Sequence, residues 1–149
     1  MQNKIIPCLW YSTDGGKISN LIAYYKAIFE GNFEGGIVMP LGETPSGYTE
    51  MSEVKIFGQK YSLMNTQEEH NKMNDSFALM INCADQAEID KYWNYFTKEG
   101  QESQCGWCID KYGLRWQIIP ANFGELMQKP NAWKVMMGQK KIIIEEYLK

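Results

Sequence analysis

One order of elements is written twice along this chain of 149 residues. Residues 4–65 read as a strand, a capped helix of about three turns and further strands that end in a glycine-centred hairpin. Residues 75–119 read the same way, with Tyr112-Gly113 falling where the first copy has Phe57-Gly58. A period this long, used only twice, is unlike a solenoid, in which short units stack in numbers. It fits two βαβββ modules, with helices on one side of a mixed sheet. The expected class is α+β, a single domain of two modules followed by a helical tail over residues 122–149.

The first copy opens on residues 4–11, a strand-like run in which Pro7 marks an edge or an irregularity. Residues 12–16 carry turn and cap chemistry. Ile18, Leu21, Ile22, Tyr25, Ile28 and Phe29 then recur at helical spacing until Gly31 ends the helix. Residues 33–39 read as a strand, and residues 40–47, with two prolines and two glycines, as a loop. Residues 54–57 and 60–65 form a hairpin across Gly58-Gln59.

Polar residues 66–75 link the copies. In the second, residues 76–82 alternate as a strand. Asp85 and Glu88 have capping-box spacing, and Ile89, Tyr92, Trp93 and Phe96 line one helix face before Gly100. Residues 105–120 form a hairpin turned at Asp110–Gly113, since Asp bonds its own backbone and Gly accepts positive φ. Residues 122–128 read as a short helix stopped by Pro130. A last helix is expected from Asn131 or Ala132 toward Leu148.

Composition narrows the function classes. A net charge of −3 without a run of Lys or Arg carries no electrostatic footprint for nucleic acid. Neither an 18-residue apolar run nor a signal pattern is present, so a cytoplasmic protein without a membrane partner is expected. Four scattered cysteines agree with a reducing compartment. Cys105-Gly-Trp-Cys108 has the C-x-x-C form. A redox dithiol, however, needs a helix beginning at its first thiol, and a zinc site needs four ligands. Here a strand follows, Cys8 and Cys83 stand alone, and His70 is the single histidine.

Several stretches together resemble the PhnB-like branch of the glyoxalase/bleomycin-resistance superfamily, the vicinal oxygen chelate fold. They are P-C-L-W-Y at residues 7–11, Y-Y-K-A-I-F at 24–29, C-G-W-C-I-D-K-Y-G-L-R-W-Q-I-I-P at 105–120 and K-P-N-A-W-K-V-M-M at 129–137. Some members carry a 3-demethylubiquinone methyltransferase-like label. The resemblance implies paired βαβββ modules, a sheet curled around a cavity, and a homodimer. It also implies a divalent metal held by His, Glu or Gln from the first and last strands of each half. Those positions fall near Ile6, Ser62, Ser76 and Gln117, within a residue or two. Gln117 alone is a usual ligand type, so no metal and no other cofactor is expected. Methyl transfer is discounted as well: Gly15-Gly16 precedes a helix, but without the spaced glycines of a methyl-donor turn.

Strand alternation assigns a cavity face. Cys8 and Trp10 go with Ile6, Met64 with Ser62, and Arg115 with Gln117. Asn65, also counted with the lining, either caps its turn or points to the cavity mouth. These inward sets mix polar and apolar residues, the composition of a small-molecule cavity. The other reading of that face is that a partner subunit or the tail covers it. Arg115 either clamps an anionic ligand or pairs with an acid. Trp10 stacks on a planar ligand or simply packs; Cys8 reads as an inert core thiol and His70 as a solvated histidine. The expected function is binding of a small molecule without a metal. The rival readings are a metal-dependent lyase, isomerase or dioxygenase, and a non-enzymatic dimer with a filled face.

Overall fold

Side chains that alternate along a strand must find one buried and one freer face, and that requirement organises each half of the chain. The computed structural model describes residues 4–70 and 72–149. They form two compact units, Met1–Lys72 and Met73–Lys149. The first holds β1 (Cys8–Tyr11), α1 (Ser19–Phe29), β2 (Phe33–Gly35), β3 (Met39–Thr44), β4 (Gly47–Ile56) and β5 (Gln59–Thr66). Its sheet has the order β1-β5-β4-β2, with β3 also on β4. The second holds β6 (Ala78–Cys83), α2 (Gln86–Lys98), β7 (Gln101–Glu102), β8 (Trp107–Ile109) and β9 (Arg115–Pro120), in the order β6-β9-β8-β7. In both, the first strand lies parallel beside the last and the others pair antiparallel. The repeated βαβββ order is therefore a repeated topology, α+β, with a mixed sheet in each unit.

Helix α1 buries Leu21, Ile22, Tyr24, Tyr25, Ile28 and Phe29. The Tyr25 hydroxyl lies 2.9 Å from that of Tyr11, which fixes the helix-facing side of β1. In the second unit Asp85 accepts the Glu88 N–H at 2.9 Å, and Glu88 reaches back to the Ala84 N–H. That is the capping box read from the sequence, closed one residue early. Phe96 of α2 stacks on Trp116 of β9, with centroids 4.5 Å apart.

Several boundaries differ from the sequence reading. Strand β1 starts at Cys8, because Pro7 has no N–H; only its carbonyl joins the ladder, accepting from Ser62 N–H. Residues 33–44, expected as a strand then a loop, form two strands on one partner. Gly35 and Gly36 (φ 85 and 98) break the run, and a Cβ on Gly35 would lie 2.6 Å from the Glu53 carbonyl oxygen. Pro40 is tolerated because β3 is an edge strand with a register shift between Pro40 and Gly42. The hairpin after β4 turns at Phe57-Gly58, both with positive φ as a type I′ turn requires.

The tail differs as well. After α3 (Phe123–Leu126), helix α4 covers only Ala132–Met137, and a short 3-10 turn follows at Ile144–Leu148. The long final helix is not formed. The chain leaves it at Gly138, and the carbonyls of Gln139 and Lys140 accept the N–H groups of Cys105 and Gly106. Gln86 then grips the strap, donating to the Ile142 carbonyl at 2.9 Å and accepting from Ile144 N–H at 2.8 Å. Backbone pairing and three successive β-branched residues, Ile142 to Ile144, outweigh continued helix here. Leu126, Ala132, Ile142 and Tyr147 make the small core beneath the strap. Among the described residues no helix is long and apolar enough to cross a membrane.

Candidate functional site

In the first unit the two sheet faces have different roles. Leu9, Tyr11, Leu63 and Val54 are buried on the face that meets α1. Asn65 is on that side too and is fully buried. Its amide donates to the carbonyls of Thr13 (3.0 Å) and Lys17 (2.6 Å), and its oxygen accepts from Thr13 N–H (3.0 Å). The assignment of Asn65 to the cavity lining is therefore corrected: its polar atoms hold the loop before α1.

The opposite face carries Cys8, Trp10, Ser62 and Met64, and the strand register arranges its side chains in rows. One row is apolar: Trp10, Met64, Met51 and Met39 are direct neighbours across β1, β5, β4 and β3. The next is mixed, with Cys8 beside Ser62 and Ser62 beside Glu53. The third is charged, with Lys60 beside Lys55 and Lys55 beside Glu34. A recess of about 300 Å³ opens at the charged row, walled by Glu34, Gly35, Glu53, Lys55 and Lys60. Glu53 and Lys60 pair at 3.2 Å. Glu34 and Lys55 have no ion pair among the described residues.

The apolar row is closed at its other end by the chain itself. Trp10 donates its indole N–H to the Thr66 hydroxyl at 2.9 Å, which donates in turn to the Glu68 carbonyl. The following residues fold back, and His70 stacks on Trp10 with centroids 4.3 Å apart and planes 6° from parallel. His70 is thus a stacked ring as well as an exposed one. Cys8 is exposed, not an inert core thiol, because its parity on β1 is that of Trp10.

In the second unit, Met80, Gln117 and Trp107 form one row, and Ala78, Arg115 and Ile109 the next. The Gln117 amide is half-buried and makes no hydrogen bond to a described residue. Arg115 is already engaged: Nε bonds Asp75 at 2.8 Å, and Nη1 donates to the carbonyls of Met73 and Gly113. Of its two readings, pairing with an acid is the one present. Ile6 precedes β1 and is exposed. Ser76 precedes β6 in a turn, where its N–H and hydroxyl both bond the Asn74 side chain. The strand residue paired with Ser62 is Cys8, and the one paired with Gln117 is Met80. Cys105 sits in a turn (φ 58), whereas Cys108 is fully buried in β8 and burial pushes its thiol up to about 12. Of the C-x-x-C pair, only Cys108 is therefore part of the strand's packing.

Residues 3–119 match the model of the family described as 3-demethylubiquinone-9 3-methyltransferase. The chain belongs to that family. Among solved structures it is similar to a PhnB protein from Bacillus cereus described as a putative 3-demethylubiquinone-9 3-methyltransferase. There the TM-score is 0.65 at 21% identity, covering 78% of this chain and 98% of the other. It is also similar to the fosfomycin resistance protein FosX from Listeria monocytogenes (TM-score 0.54, 15% identity, 84% of this chain and 96% of the other). A FosX structure complexed with Mn(II) and sulfate aligns at a TM-score of 0.53 and 14% identity, over 79% and 91% of the two chains. Likeness at these identities establishes the glyoxalase/bleomycin-resistance fold. No match was found among curated proteins.

The divalent ion implied by the fold can be tested against the donors. Ile6 has none, Ser62 offers a neutral hydroxyl, and the register partners Cys8 and Met80 offer sulfur. Gln117 supplies a neutral amide. No three His, Cys, Asp or Glu residues cluster as a metal site among the described residues. Hard divalent ions favour carboxylate and imidazole donors, and this set does not fit them. Of the two glycines of the β1–α1 turn, Gly15 has open space beside it and Gly16 has not. At Gly16 a Cβ would run into the Tyr48 carbonyl, so its smallness serves the contact with β4.

Proposed function

We propose that this protein binds a small organic molecule on the face of the first unit that carries Trp10, and that it does so without a resident metal. The observation behind this reading is the in-register row Trp10–Met64–Met51–Met39 beside polar Ser62 and the charged recess. Binding sites join apolar walls to a few placed polar groups. Thioethers adapt to planar guests and indole stacks on them. The second unit has a polar group of its own on a strand face, Gln117. The four free thiols fit a cytoplasmic setting.

The test is ligand-observed NMR with a panel of planar organic compounds, alongside dialysis against Mn²⁺ and Zn²⁺. Binding that is lost in Met51→Lys, with metal content well below one equivalent, supports the reading. Retention of one equivalent of metal, or binding indifferent to Met51→Lys, refutes it. A second reading concerns assembly. Ile37 is 81% exposed and Leu41 53% exposed on or beside edge strand β3, and an apolar edge favours pairing with another chain. We propose a homodimer through this edge. Sedimentation should give a dimer that Leu41→Lys converts to monomer; a wild-type monomer at micromolar concentration would refute it.

A further inference from the structure

The three rows of the first unit's free face grade from apolar to charged, and the gradient carries information about the ligand. Successive same-face rows along a strand are about 7 Å apart, so the Trp10–Met64 row and the Lys60–Lys55–Glu34 row are separated by about 13 Å. At the charged row Glu53 and Lys60 neutralise one another. That leaves one carboxylate, Glu34, and one ammonium, Lys55, side by side on β2 and β4 without an ion pair among the described residues. Directly opposed antiparallel residues have Cα atoms about 5 Å apart. Two opposite charges so placed match a head group that itself carries an ammonium and a carboxylate a few ångströms apart. A purely anionic head would leave Glu34 facing like charge, and a purely cationic head would do so to Lys55.

At the other end, Trp10 already holds a planar ring. His70 stacks on it at 4.3 Å and 6°, which shows that the indole face accepts a flat heterocycle in parallel contact. Between the ends lie the Ser62 hydroxyl and the Cys8 thiol.

Resting on the proposed small-molecule site, we infer that its ligand is a zwitterionic, amino-acid-headed molecule bearing a planar apolar group at the end of a flexible chain. The ammonium faces Glu34, the carboxylate faces Lys55, and the planar end lies over Met64 and Met51, beside the Trp10–His70 stack.

Three dansyl probes separate the head group from the tail. Nε-dansyl-lysine carries both charges, dansylcadaverine only the ammonium, and dansyl-aminohexanoic acid only the carboxylate. Fluorescence polarisation gives each affinity, with energy transfer from tryptophan reporting the tail. The zwitterion is expected to bind about two- to fivefold more tightly than either single-charge probe, the range of an exposed ion pair. Glu34→Gln should remove its advantage over the acid probe, and Lys55→Gln its advantage over the amine. Equal affinities for all three probes in the wild type would overturn the head-group assignment and leave the proposed site standing. Failure of every probe to bind would overturn the proposed site itself. Probe binding unchanged by Met51→Lys would place the tail elsewhere and refute the assignment of rows.

Discussion

Replacing Asn65 tests whether its amide holds the loop before α1. The native side chain makes three hydrogen bonds to Thr13 and Lys17 backbone groups and is fully buried. At about 1 kcal/mol net for each bond, Asn65→Ala should cost about 3 kcal/mol, or ~6–12 °C in Tm for a chain of this size. Asn65→Asp sharpens the test because it keeps the shape. Ionised, it would point a carboxylate oxygen at the Thr13 and Lys17 carbonyls, so its folded pKa should rise above the unfolded value of about 3.9. The folded state then binds more protons than the unfolded state between those two pKa values. Stability of the variant is therefore best below about pH 4, falls as pH rises through its folded pKa, and stays low above it. At low pH the acid O–H replaces one of the two amide donors, leaving a deficit of about 1 kcal/mol. Urea unfolding followed by tryptophan fluorescence from pH 4 to 8 measures both effects. An Asn65→Ala cost under about 0.5 kcal/mol, or an Asn65→Asp deficit that does not change with pH, would refute the argument.

Two more predictions concern the thiols and the strap. With iodoacetamide at pH 8, Cys8 should be modified in the native protein, whereas Cys83 and Cys108 should resist, since burial pushes both up to about 12. The same shift, from 9.0, makes their contribution complete below pH 9 and lost as pH rises toward 12; peptide mass spectra showing Cys108 modified as fast as Cys8 would refute this. Gln86→Ala should cost about 2 kcal/mol through its two strap bonds and speed hydrogen exchange at the amides of Ile144, Cys105 and Gly106. Asp90 supports the strap through the Gln86 hydrogen bond first and Lys141 second, which lower its pKa. That support is present above pH 3.8 and lost as pH falls through the lowered value. Unchanged exchange at all three amides would show that the strap is held elsewhere.

What could be read in the sequence, and what could not, divides along physical lines. Helices α1 and α2, the Asp85 cap and the two glycine hairpins were legible because each depends on residues within four or five of one another. The repeat followed from their order. Strand β4 was mostly missed: residues 47–53 do not alternate apolar with polar, since the side facing α1 includes Glu50 and Ser52. Both are buried polar groups with partners. Glu50 accepts the Ile18 N–H at 2.8 Å and the Tyr48 hydroxyl at 2.6 Å, and Ser52 donates to the Ile37 carbonyl. With residues 47–53 unread, Met51 and Glu53 could not be placed beside Met64 and Ser62, and the rows stayed hidden. The tail failed for another reason. The period of its apolar residues was helical, but the acceptors needed by Cys105 and Gly106 are carbonyls of the tail, a demand set from more than thirty residues away.

The same topology has been given opposite electrostatic treatment in its two copies. In the second unit the one cation on the strand face, Arg115, is satisfied from within by Asp75 and two carbonyls, so it is structural before any ligand arrives. In the first, Lys55 and Glu34 have no ion pair among the described residues and lie beside a recess, two rows along the strands from the row of the stacked indole. A charge already neutralised by its own chain adds little to recognition, because binding must first break that pairing. On the proposed reading, charge recognition therefore falls to the first unit. The fold's metal pattern pointed instead at Ile6 and Ser76, which precede β1 and β6, whereas Glu34 and Lys55 lie on β2 and β4.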